Sequence, residues 1–151
     1  MAMTMTGEYQ LAASRDTVWA KLNDPDVLKA CIPGCEELEK TSDTEFRAVA
    51  KMKVGPVSAR FRGKVTLSDI DPPNGYKITG EGEGGVAGFA KGGAVVALLE
   101  KEGGTQLTYN VEAQIGGKLA QLGQRLVNGS AKKLADEFFA NFAEAVQGKQ
   151  L

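Results

Sequence analysis

The chain has 151 residues, 42% of them apolar and 25% charged, with a net charge of −1 and no histidine. That length supports one sizeable core, so a single domain over residues 1–151 is expected, and the near-neutral charge gives no footprint for nucleic acid. The missing histidine excludes Ser/His/Asp and Cys/His catalytic centres and removes the commonest metal ligand.

Residues from about Thr4 to Ala12 read as a strand, with Tyr9 and Leu11 on one face. Ser14 then caps a short helix running through Leu22, and Asp24-Pro25 opens a second, which Pro33-Gly34 ends. From Glu36 to Ile115 the pattern is that of antiparallel strands. Phe46, Ala48, Ala50, Met52 and Val54 alternate with charged residues up to the turn at Gly55-Pro56, and Val57, Ala59, Phe61, Gly63, Val65 and Leu67 alternate beyond it. Asp71-Pro72-Pro73-Asn74-Gly75 and Glu102-Gly103-Gly104-Thr105 are strong turn signals. They bracket strands at about Tyr76–Gly84, Phe89–Lys101 and Gln106–Ile115.

In the strand after Asn74-Gly75, one face begins with Tyr76 and Ile78 and continues as Gly80, Gly82 and Gly84. A sheet packed tightly under a helix would carry large residues there, because interiors approach crystal-like density. Two readings stand side by side. The glycines mark bulges and sharp twist, or they leave room for a guest. After Gly116-Gly117 the period becomes helical for about thirty residues, long enough at 1.5 Å per residue to cross a six- or seven-stranded sheet. Leu119, Leu122, Leu126, Leu134, Phe138 and Phe142 form its stripe, and small residues at Gly123, Gly129, Ser130 and Ala131 would face the glycine strand. Bulk is then missing from both walls, which favours the pocket.

A strand, two short helices, a run of antiparallel strands and one long C-terminal helix describe an α+β helix-grip fold, a curved sheet wrapped around its last helix. Asn23-Asp24-Pro25, Cys31-Ile32-Pro33-Gly34-Cys35-Glu36, Lys53-Val54-Gly55-Pro56, Asp69-Ile70-Asp71-Pro72-Pro73, Gly88-Phe89-Ala90-Lys91-Gly92 and Gly116 through Gly123 resemble, in order, the CoxG family of carbon monoxide dehydrogenase subunits, within the START-like superfamily. The resemblance implies an accessory protein of molybdenum hydroxylases that associates with membrane and binds a quinone or similar lipid. Many members add an apolar C-terminal tail. Here Ala145 through Leu151 form none, so the expected membrane contact is weak and peripheral, made by Val27, Leu28, Ile32, Pro33 and the Val86–Phe89 turn. No apolar run approaches the roughly 20 residues that span a bilayer, and the first residues lack the features of a signal peptide, so a cytoplasmic protein is expected.

Cys31 and Cys35 stand i, i+4 with no second pair to complete a zinc site, so no metal and no disulfide are expected. Lys91 is not followed by Ser or Thr, which removes the phosphate-loop reading. Glu81 and Glu83 lie opposite the glycine face and read as solvated rather than catalytic. What remains is an apolar binding surface made of Leu28, Phe46, Ala48, Met52, Phe61, Val65, Ile78, Gly80, Gly82, Phe89, Tyr109, Leu122, Gly123 and Leu126. There the Tyr109 hydroxyl could hold a quinone carbonyl, with Tyr76 farther off. Each of these residues can also be plain core. The expected function is non-enzymatic binding of a hydrophobic small molecule, with no covalent or metal cofactor. The alternative is a START-like polyketide cyclase or aromatase, which would need acid/base groups inside the pocket.

Overall fold

The structure is a computed structural model and describes residues 1–147. In chain order the elements are β1 (Ala2–Leu11), α1 (Arg15–Leu22), α2 (Pro25–Cys31), β2 (Cys35–Ser42), β3 (Glu45–Val54), β4 (Val57–Asp71), β5 (Gly75–Glu83), a 3-10 turn (Gly85–Ala87), β6 (Phe89–Lys101), β7 (Gly104–Gly116), α3 (Lys118–Gln121) and α4 (Gln124–Val146). The caps follow the local chemistry. Ser14 Oγ accepts from Thr17 N at 3.2 Å, and Asp24 Oδ1 accepts from Asp26 N at 2.9 Å with Pro25 at the first helical position. Cys35 to Ser42, read only as the start of the strand region, forms the edge strand β2.

The strands form one seven-stranded sheet in the order β1-β7-β6-β5-β4-β3-β2, antiparallel throughout. This is the expected α+β architecture, with the short helices after the first strand and the long helix last. The helix differs from its expected form. Instead of thirty continuous residues there is one turn, a break at Leu122-Gly123, and then a 23-residue helix about 35 Å long. Gly123 sits at φ +88, a backbone conformation natural to glycine and incompatible with helix. The break rotates the apolar stripe. Val127, Phe142 and Val146 are buried, whereas Leu126 is 39% exposed and rests on the Gly55 turn. Gly129, expected to face the sheet, is exposed.

Helix α4 is tied on both flanks. Tyr9 Oη donates to Asp136 Oδ1 at 2.5 Å, Gln124 Nε2 donates to the Ala2 carbonyl at 3.2 Å, and Asn141 Nδ2 donates to the Cys31 carbonyl at 3.0 Å. Its C-terminal half fills the larger of two buried clusters, where Phe142 lies among Leu11, Val18, Leu98 and Leu107. Phe139 stacks on Tyr9 at 4.3 Å and Phe138 on Phe142 at 5.7 Å. A smaller cluster of Met3, Ile115, Leu119 and Val127 closes the opposite end.

Candidate functional site

Between the two clusters lies a stretch of sheet almost without side chains. The register sets Ala48 opposite Gly63, Gly63 opposite Gly82, and Gly82 opposite Ala90; in the next row Val65 faces Gly80, Gly80 faces Gly92, and Gly92 faces Ala113. Small residues thus make a continuous floor from β3 to β7. A β-carbon added at Gly63 would meet only Glu81 O at 3.4 Å, and one at Gly82 only Arg62 O at 3.8 Å. At Gly80 its nearest neighbours would be Lys64 O and Val65, at 3.3 Å and beyond. All of these atoms belong to the adjacent strand, and none to α4. In a packed core a β-carbon has atoms of the opposing layer at van der Waals distance; here the opposing layer is absent from that shell. From α4, Val127 and Ala131 join Phe61, Ala90 and Ala113 in the smaller cluster. Leu134 and Met52, both half-buried, belong to neither cluster.

The glycines do not all act alike. At Gly92 a β-carbon would collide with Glu112 O, and at Gly84 with the Phe61 ring. At those two positions a neighbouring carbonyl or ring occupies the place of a side chain, whereas at Gly63 and Gly82 a β-carbon makes only ordinary contacts and at Gly80 a tight one with Lys64 O.

The expected site residues divide accordingly. Ala48, Met52, Phe61, Val65, Ile78, Gly80, Gly82 and Leu122 are half-buried on or beside the inner face, and Leu28 packs on the larger cluster from α2. Phe46 is buried in that larger cluster. Three expected members do not join them. Phe89 stands on the outer face, 43% exposed, with its ring over Gly116, because in β6 the even-numbered residues Ala90, Gly92 and Ala94 point inward. Leu126 and Gly123 are exposed because the helix breaks between them and α3. Sequence reading also missed Ala90, Gly92 and Ala113 as floor; the two-residue period of β6 carried the signal, but only the register joins it to Gly80.

Polar groups here are few. The Tyr109 ring lies over Gly7 and stacks with Phe139 at 5.8 Å and Tyr9 at 6.1 Å, which turns it toward β1. Tyr76 packs against Trp19 at 5.2 Å, and burial pushes its hydroxyl from 10.0 up to about 12. Because the folded value is raised, its contribution to stability is full below about pH 10 and is lost as pH rises toward 12. Burial, and then the hydrogen bond to Asp136, raise Tyr9 in the same direction. Tyr76→Phe is therefore expected to flatten, without abolishing, the fall in melting temperature between pH 10 and 12. On α4 the Asn128 side-chain oxygen is buried with no partner among the described residues, an arrangement that costs about 1–3 kcal/mol unless something supplies a donor.

Both cysteines are free thiols, and burial raises each. Among the described residues no three His, Cys, Asp or Glu side chains gather as a metal site. Thiol titration should find both cysteines after denaturation, with buried Cys31 reacting at least about tenfold more slowly in the native protein. A stoichiometric metal or a single titratable thiol would contradict this.

On the outer face a hollow of about 970 Å³ is lined by Lys64, Lys77, Lys91, Thr66, Thr79 and Asn110, among others. Its lining also takes in Gly80, Gly92, Ala94, Val95 and Ala113, so the bare stretch of sheet is open from this face as well. No helix among the described residues is long and apolar enough to cross a membrane.

Solved structures share this fold. A conserved protein from Geobacillus kaustophilus is 34% identical, with a TM-score of 0.90, the match covering 96% of this chain and 95% of that one. A protein from Rhizobium leguminosarum is 15% identical (TM-score 0.74; 97% and 95% covered), and the Zhui aromatase/cyclase from Streptomyces sp. R1128 is 12% identical (TM-score 0.71; 97% and 94% covered). Comparison with curated proteins gives no match. The family model of CoxG, a carbon monoxide dehydrogenase subunit, matches residues 7–147, nearly the whole chain, and the chain belongs to that family.

Proposed function

We propose that the protein binds a hydrophobic small molecule, a quinone or a lipid, in the space between α4 and the glycine-alanine floor. It would act without catalysis, as an accessory of a molybdenum hydroxylase of the carbon monoxide dehydrogenase type. The supporting observation is the floor itself, since Gly63, Gly80 and Gly82 have no atom of α4 within reach of a β-carbon. Phe61, Val65, Ile78 and Met52 offer apolar contact for a ring or chain, and the unpartnered Asn128 side-chain oxygen can accept from a hydroxyl, as a lipid or the reduced quinol carries. The family supports the redox partner. In this reading the carrier works from the cytoplasm and meets the inner face of the membrane only briefly.

A cyclase-type enzyme would need an acid and a base on the inner face, and the floor carries neither. Native mass spectrometry of the protein mixed with bacterial lipid extract tests the reading. One non-covalent adduct of quinone or lipid mass is expected, and a spectrum of bare protein across the extract would refute it.

A further inference from the structure

The charges on the exposed face of helix α4 are divided by sign. Arg125, Lys132 and Lys133 stand in the N-terminal half, and Asp136, Glu137 and Glu144 in the C-terminal half, all of them exposed. That order opposes the helix macrodipole, which favours acids in the first turn and bases in the last. Here the first turn carries Arg125 and no acid, and the last carries Glu144 and no base. Within the chain little compensates it. Lys132 reaches Asp136 at 3.3 Å and Asp136 also accepts from Tyr9, but Arg125, Lys133, Glu137 and Glu144 have no ion-pair partner among the described residues. The same face is also symmetric. Arg125 and Glu144, Gly129 and Ala140, Lys132 and Glu137, and Lys133 and Asp136 are each equidistant from the point between Leu134 and Ala135. Turned end for end, the face sets every cation against an acid and Gly129 against Ala140.

We propose that two copies of this protein associate through α4, antiparallel, about a two-fold axis level with Leu134 and Ala135. The pairing is independent of the ligand proposed above. Charge complementarity selects a second copy as the occupant, because one face supplies both halves of an isologous contact. Arg125 then lies beside Glu144 and the negative C-terminal end of the partner helix, and Glu144 beside Arg125 and its positive N-terminal end. Charges that oppose their own macrodipole thus complement the partner's. A β-carbon added at Gly129 would meet nothing within 4 Å, and with only a methyl group at Ala140 the two axes are free to approach to the roughly 8–10 Å of packed helices. A net charge of −1 per copy sets little general repulsion against the contact. A charged face without a broad apolar centre makes a weak, salt-dependent dimer and not an obligate one.

Sedimentation equilibrium of the whole chain tests this. In about 20 mM salt the weight-average mass should climb from monomer toward dimer across about 10–300 μM protein, and in about 0.5 M salt, where the screening length is a few ångströms, the dissociation constant should rise at least about tenfold. Arg125→Glu with Lys132→Glu makes the face mainly acidic, and Glu137→Lys with Glu144→Lys makes it mainly basic. Each double variant alone should stay monomeric across that range with its melting temperature nearly in place, since exposed charges contribute little to folding. An equimolar mixture of the two should recover the dimer, because every reversed position then meets its opposite. Asp43→Lys with Glu102→Lys carries the same change in net charge at exposed positions off the helix and should recover no dimer with the acidic variant. A wild type that stays monomeric throughout at low salt, a mixture of the two helix variants that stays monomeric, or recovery with the off-helix control would overturn the proposal. So would a dimer that survives in both variants, as association through the edge of β1 predicts.

Discussion

Gly82→Leu is expected to reduce uptake of a fluorescent lipid or quinone analogue by at least about tenfold while moving stability by no more than about 1 kcal/mol. The reason is local. Gly82 lies in the middle of the floor between Gly63 and Ala90, and its β-carbon position has only Arg62 O at 3.8 Å, an ordinary contact. The backbone therefore accepts a side chain, and the leucine goes into the space that the ligand is proposed to occupy. Removing a glycine from a strand interior also lowers the entropy lost on folding, which offsets part of any packing strain. Melting temperature and analogue fluorescence, measured on one preparation, decide the matter. Unimpaired uptake with a folded variant would show that the ligand lies elsewhere. Gly92→Leu is the contrasting control, because there the β-carbon collides with Glu112 O, and that variant should lose its fold before it loses its ligand.

Phe142→Ala should produce the largest loss of stability of any single truncation, about 4 kcal/mol, from the transfer term together with the cavity left behind. Phe142 is 0% exposed, stacks with Phe138, meets Phe139 edge-on at 6.3 Å, and joins α4 to Leu98 and Leu107 on the sheet. For a domain of this size that corresponds to a fall of about 10 °C in melting temperature, readable by thermal denaturation. A loss under about 1 kcal/mol would mean that the cluster collapses around the gap. Phe142 lies in the larger cluster, away from the floor, so the variant's ligand affinity at low temperature should change far less than that of Gly82→Leu. The pair of variants thus separates what holds the fold from what holds the guest.

Much of the fold was legible in local chemistry. Ser14 and Asp24-Pro25 announced the two short helices, because a side-chain acceptor at a helix start satisfies backbone donors that nothing else reaches. The two-residue alternation of β3 and β4 announced a hairpin with one apolar face, and Gly55-Pro56 announced its turn. The helix-grip order and the family resemblance followed from the same residues and agree with the observed sheet and with the match over residues 7–147.

The site was legible only in part, because a floor is a property of register across strands that are distant in sequence. Gly80 and Gly82 signalled a bare face on one strand. That Gly63, Ala90, Gly92 and Ala113 extend it across β4, β6 and β7 depends on which residues pair, and a shift of one residue would turn every one of them outward. The same parity moved Phe89 to the outer face. The break at Gly123 depends on its φ of +88; a helical period runs through glycine in sequence, and only the packed chain shows that the helix stops there, exposing Leu126 and burying Val127. Charge followed the same rule. Composition determines a net of −1, but which charges face one another, Glu81 opposite Lys91 and Glu83 opposite Arg62, comes from the strand register, because electrostatic fields depend on where charges stand and not on how many there are.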